Sequence, residues 1–93
     1  MRISERVDNA VRAMGELAVA GGQPVKAETI ATRQDISITY LLDILRELKR
    51  AELVRSKRGP EGGFTLSRPA AEISLADVFR AVDGPLADVH DES

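Results

Sequence analysis

A mainly α-helical fold with one small β-hairpin is predicted by three observations. Apolar residues recur at helical spacing in four segments, a three-residue interruption separates the second from the third, and the stretch SKRGPEGGFTLSRP, residues 56–69, sets glycines and a proline between two short alternating runs. The four segments are taken in order.

Ser4 is placed to cap a first helix whose apolar positions Val7, Ala10, Val11, Met14 and Ala18 follow the i, i+3, i+4 spacing, and Gly21, Gly22 and Pro24 stop it. A second, shorter helix fits AETIATRQ, with Ile30 and Ala31 inward. After DIS a third begins, and Leu41, Ile44, Leu45 and Leu48 fall at i, i+3, i+4, i+7 on its inner face. Two short helices across so brief a turn make a helix-turn-helix, whose second helix, residues 38–50, is shaped to lie in a DNA major groove.

The outer face of that helix follows from about 100° of rotation per residue. Thr39, Asp43, Arg46 and Arg50 form a stripe opposite the leucines, with Ser37, Tyr40 and Glu47 beside it. Its N-terminal members would face base edges, and Arg46, Lys49 and Arg50 would meet phosphates. Asp43 suits a cytosine amino group, and Thr39 suits several bases or a thymine methyl. Leu42 lies on the flank of the stripe; it either offers an apolar surface to thymine methyls or packs against a neighbouring helix, the commoner fate of such a residue.

The hairpin follows directly. LVRSK and FTLS read as strands, with Phe64 and Leu66 on one face, and RGPEGG as the turn. Pro60 fixes its own φ, and Gly62 and Gly63 are read as tolerating positive φ. A hairpin in this place is a wing, making the fold a winged helix-turn-helix. Its slim tip, with Lys57, Arg58, Gly59, Gly62 and Gly63 as candidate contacts, can approach a DNA backbone or carry Arg58 into a minor groove, where the potential is most negative. The same residues also fit a plain structural hairpin with solvated cations. No GK[ST] follows the glycines, so the loop is not a nucleotide-phosphate cradle. In the fourth helix Ser74 and Asp77 resemble a capping box, Leu75, Val78, Phe79 and Val82 form the apolar stripe, and Gly84 with Pro85 is expected to end it. The domain thus spans 1–85, and residues 86–93 read as an acidic, poorly ordered tail. His90 in that tail makes only a weak metal site.

Charge is uneven along the chain. The net charge of −2 conceals a segment 46–68 with seven basic and three acidic residues, followed by residues 69–93 with one and six. A basic patch on one face of a weakly acidic protein points to a polyanion, although a solvated face is the plainer reading of any such run. The 93 residues suit one small domain, 43% apolar and 30% charged, with no cysteine. Disulfides, thiolate metal sites and cysteine-ligated iron–sulfur clusters are excluded within them. No apolar run approaches the roughly 20 residues of a membrane helix and MRISERVDNAV lacks a signal's apolar core, so a cytoplasmic location is expected.

The motifs DNAVRAM, IATRQDISITYLLDIL, LVRSKRGPEGGFTLSRP and EISLADVFRAVDGPL, in this order, resemble the Rrf2 family of bacterial winged-helix transcription regulators from Met1 to about Pro85. The resemblance implies that Ser37, Thr39, Tyr40, Leu42 and Asp43 read the major groove and Arg58 enters the minor groove. Where IscR-like members often carry a glutamate after the YL pair, this chain has Leu42, which argues against an IscR-like operator. With no thiolate after the fourth helix, the chain looks like the cluster-free, CymR-like branch, needing no cofactor and taking its signal another way, for instance from a protein partner. Family members normally continue into a long dimerisation helix that these 93 residues do not include; either the sequence stops short of it or dimerisation is weak. Dimerisation would set two recognition helices about 34–36 Å apart and imply a palindromic operator.

The function expected from these readings is a sequence-specific double-stranded DNA-binding regulator, a repressor working as a homodimer. The alternative is a winged-helix module for protein contacts, using the acidic tail or Leu42. An enzyme is not expected: one histidine, no cysteine and no convergent carboxylates leave nothing for acid–base or nucleophilic work. With Tyr40, Phe64 and Phe79 as the only aromatics, a single-strand stacking platform is equally unexpected.

Overall fold

The computed structural model describes residues 4–91, with side chains up to residue 83. Helix α1 spans Glu5–Val19, α2 Ala27–Gln34 and α3 Ile38–Arg50; strands β1 (Val54–Lys57) and β2 (Gly63–Leu66) follow, then a 3₁₀ turn at Ala70–Glu72 and helix α4, Leu75–Asp91. Helix α3 is the hub, packed against α1, α2, α4 and β1. Its four inward residues are all buried, and they share the core with Val7, Leu17, Ile30, Leu53, Val54 and Val78.

The α2–α3 turn uses each of its three residues. Asp35 takes a left-handed conformation, φ 55°, which a short polar side chain tolerates better than most. Ile36 is buried and its N–H donates to the Ala31 carbonyl at 2.9 Å, so the turn is plugged into the core. Ser37 then caps α3, its hydroxyl accepting from the Tyr40 N–H at 3.2 Å.

At its other end α3 closes with paired reverse bonds, Glu52 N–H to the Lys49 carbonyl at 2.9 Å and Leu53 N–H to the Leu48 carbonyl at 3.0 Å. This is the Schellman arrangement, with Leu48 and Leu53 buried together across it. Glu52 fills the left-handed position, φ 65°, where glycine is the usual occupant.

The strands pair antiparallel from Val54 opposite Leu66 to Lys57 opposite Gly63. The turn closes where the Gly62 N–H donates to the Gly59 carbonyl at 2.9 Å. The glycines divide the work differently from the sequence reading. Positive φ occurs at Gly59 (102°) and Gly63 (145°), not at Gly62. Gly62 is needed for space: a Cβ there would overlap the Lys57 carbonyl oxygen, and one on Gly63 would lie 2.7 Å from the Val25 backbone. Val25, between α1 and α2, exchanges two backbone hydrogen bonds with Phe64, at 3.0 and 2.8 Å, and so adds a one-residue third strand.

Two further expectations are corrected. The inner face of α1 is Val7, Ala10, Ala13, Met14 and Leu17, with Val11 half-buried and Ala18 exposed. Alanines on both sides of this helix blur its hydrophobic contrast, so the face is misplaced by one position when read from spacing. Helix α4 does not end at Gly84 and Pro85 but runs to Asp91. An interior proline forgoes one backbone bond. The sequence spacing Leu75, Val78, Val82, Leu86, Val89 continues across the break, so the helical period outlasts it. Most of the tail expected to be disordered therefore lies in this helix, residues 92 and 93 fall outside the described residues, and so does the His90 side chain.

The predicted capping box at the start of α4 is formed. Ser74 N–H donates to Asp77 Oδ2 at 2.9 Å, and Asp77 N–H donates to Ser74 Oγ at 3.1 Å. The Ser74 backbone bond, helped by the Ser74 hydroxyl, Arg80 and Arg68, holds the Asp77 carboxyl below its usual value of 3.8 despite some desolvation. A carboxylate with a depressed folded-state pKa adds stability above its unfolded value and loses it as pH falls through the folded one. Asp77→Ala is therefore expected to melt lower than the native chain at neutral pH, with the gap closing in strong acid; a gap independent of pH would contradict this role. Ser74→Ala, which removes the cap itself, is expected to cost about 1 kcal/mol.

Candidate nucleic-acid interface

Helix α3 packs against the first wing strand, and the predicted residues on the two elements differ in how free they are. On α3, Ser37, Thr39, Leu42, Arg46, Lys49 and Arg50 are exposed, while Asp43 and Glu47 are half-covered. Leu42 is 42% exposed and is not part of the core, so the neighbouring-helix packing that its type favours does not occur. Tyr40 behaves oppositely and packs against the core cluster. Ser37 already uses its oxygen as the helix cap, leaving its hydroxyl proton for another acceptor.

The arginines of α3 are held by carboxylates. Arg46 donates to Asp43 Oδ1 at 2.9 Å, and Arg50 lies 3.7 Å from Glu47. Asp43 is held from a second side by Arg6 of α1, at 3.0 Å. No sequence spacing points to Arg6, because the contact is tertiary. Another link invisible in the sequence is Lys49 Nζ donating to Ser56 Oγ at 2.8 Å, which ties the end of α3 to the first wing strand. Around that link Lys49, Arg55 and Arg68, against a single acid, Glu52, edge an open cleft of about 640 Å³.

At the wing tip Lys57, Arg58, Gly59, Pro60 and Glu61 are exposed, Gly62 is buried and Gly63 half-buried. Among the described residues no carboxylate lies within ion-pair distance of Arg55, Lys57 or Arg58. The wing thus presents uncompensated cations beside a helix whose arginines, Arg46 and Arg50, are compensated. A polyanion approaching this side meets its strongest unscreened attraction at the wing.

Comparison with known proteins agrees with this geometry. The family model Rrf2, described as an iron-dependent transcriptional regulator, matches residues 3–93. The residues here do not fit an iron group: the chain has no cysteine, and among the described residues no three histidine or acidic side chains lie close enough to share a metal. The chain is 52% identical over 92 residues to Rv1287 of Mycobacterium tuberculosis, named as an HTH-type transcriptional regulator, covering 98% of this chain and 57% of that protein. It is 37% identical over 93 residues to the HTH-type transcriptional regulator IscR of Cereibacter sphaeroides, covering 97% and 60%. It therefore spans somewhat under two thirds of the length of these relatives. Among solved structures, CymR (YrzC), the global cysteine regulator of B. subtilis, superposes with a TM-score of 0.86 at 32% identity over 91% of this chain and 67% of that one. The IscR of T. potens gives 0.83 at 32% identity over 99% and 73%. Family model, relatives and superposed structures agree, and the chain belongs to the Rrf2 family of winged helix-turn-helix transcriptional regulators.

Proposed function

We propose that this chain is the reading head of a transcriptional regulator that binds double-stranded DNA by sequence, with α3 in the major groove and the tip of the β1–β2 wing in the adjacent minor groove. The observation that carries this is the pairing of an exposed stripe on α3, Thr39, Leu42 and Arg46, with wing cations that have no carboxylate partner among the described residues. Thr39, Leu42 and Asp43 are the base-facing set, while Arg46, Lys49 and Arg50 meet phosphates. Arg58 enters the minor groove, and Gly59 keeps the tip slim enough for it. Gly62 and Gly63 act indirectly, by letting the wing backbone close.

The acting form is a homodimer on a two-fold operator in the cytoplasm, because two α3 helices about one helical turn apart double the base contacts of one. Occupying both grooves excludes other proteins from the same DNA, which makes repression the direct outcome. No helix among the described residues is long and apolar enough to cross a membrane.

Selection from fragmented duplex DNA at near-physiological salt tests this. The native protein should recover a two-fold motif. Arg58→Ala should lose its preference for A/T-rich flanks, whereas Arg50→Ala should weaken all sequences alike and flatten the salt dependence by about one unit of slope. Equal behaviour of the two variants across the panel would refute the assignment of roles. Failure to recover any motif, with a protein captured through the same face, would turn the reading toward a protein-contact module.

A further inference from the structure

Asp43 lies on the side of α3 assigned to base edges, yet a bare carboxylate there would be repelled by the phosphates it must pass. Its surroundings resolve this. Arg46 holds Oδ1 at 2.9 Å and Arg6 holds Oδ2 at 3.0 Å, one guanidinium on each oxygen. Each carboxylate oxygen has two acceptor positions, so each keeps one free after these contacts. Asp43 is thereby fixed in direction, neutralised, and still able to accept a hydrogen bond.

The two arginines are not equivalent. Arg46 is 64% exposed and sits one turn along the same helix, free to swing to a phosphate when DNA arrives. Arg6 is only 25% exposed and comes from the first turn of α1, so it is the counter-charge that stays. Arg6 meets Asp43 as an ion pair that pins the charge and place of one carboxylate oxygen, while the directed hydrogen bond on the other comes from Arg46.

We propose that Arg6 is a specificity-determining positioning residue: from outside the recognition helix it holds Asp43 as an oriented, charge-compensated acceptor for the exocyclic amino group of a cytosine in the major groove. This rests on the DNA-reading function proposed above. With Arg6 present, Asp43 discriminates for cytosine at one base pair. Without it, Asp43 turns toward Arg46 alone, and Arg46 can serve either the carboxylate or a phosphate.

The test is binding of the native protein, Arg6→Gln, Arg6→Lys, Asp43→Ala and the double variant Arg6→Gln/Asp43→Ala to duplexes that differ one base pair at a time, with thermal melting beside each to establish folding. The native protein is expected to prefer cytosine at one position by about tenfold. Arg6→Gln should reduce that preference severalfold at that position alone, Arg6→Lys should retain part of it, and Asp43→Ala should abolish it and make Arg6→Gln silent there. A folded Arg6→Gln that keeps the native preference at every position, or weakens all sequences by one common factor, overturns the inference and leaves the DNA-reading function standing. A native protein with no sequence preference overturns that function and this inference with it.

Discussion

Leu48→Ala is expected to lower the free energy of unfolding by about 2–5 kcal/mol, the range for truncating a buried leucine that leaves a cavity. Leu48 is fully buried, at the point where α3 meets the wing, and its carbonyl receives the Leu53 N–H that ends the helix. The loss combines buried area with space that surrounding groups fill only in part. For a domain of 93 residues total stability is about 5–14 kcal/mol, so a substantial share is at stake. Urea denaturation should show a lower midpoint with an unchanged slope. DNA binding under conditions where the variant stays folded should be nearly native, since the exposed stripe lies on the opposite side of the helix. A loss below about 1 kcal/mol would mean that the core closes over the gap, contrary to its packing.

Gly62→Ala should act on the wing instead, and with an effect out of proportion to one methyl group. The added Cβ would overlap the Lys57 carbonyl oxygen and press on the Arg58 backbone, neither of which is the movable end of a side chain. Relief requires opening the turn closed by the Gly59–Gly62 hydrogen bond, at a cost of about 2 kcal/mol or more in stability. DNA affinity should fall further than stability alone accounts for, because the tip that carries Arg58 is rebuilt. Gly15→Ala makes a sharp control. That glycine lies exposed within α1 with nothing within 4 Å of its missing Cβ, so alanine there should stabilise by roughly 0.5–1 kcal/mol. Thermal melts of the two variants should move in opposite directions, and parallel shifts would remove the steric explanation.

What could be read from the sequence divides along physical lines. The bounds of α2, the three-residue turn, the inner face of α3 and the capping box at Ser74 were legible because each depends on neighbours within about one helical turn. The inner side of α1 was displaced because Ala13 and Ala18 are the same small residue and carry no hydropathy contrast, although one is buried and the other exposed. The left-handed Glu52 was hidden because the residue there is not the one such a position favours. Likewise the stripe of Thr39, Asp43, Arg46 and Arg50 was visible by rotation alone. Arg6 and the Lys49–Ser56 link were not, since both join segments whose approach is decided by core packing. Gly62 was noticed for the wrong reason: its missing side chain serves close approach, which no local pattern announces.

The pairing of Val25 with Phe64 bears on how this protein avoids its own kind. A two-stranded hairpin leaves two rows of unpaired backbone groups, each a template on which another chain can add a strand. Here the two rows are guarded by different means. The outer side of β2 is occupied at Phe64 by Val25 from the same chain. Among the described residues the outer side of β1 has no such cover, but its four residues include Arg55 and Lys57, both exposed, and a second copy arriving in register would set like charges against them. The cations that draw in nucleic acid therefore also discourage self-stacking into fibres. Neutralising Arg55 and Lys57 together would then endanger solubility at high concentration as well as weaken DNA binding, so a protein tuned to let go of its operator has reason to do so without giving up the charge on that strand.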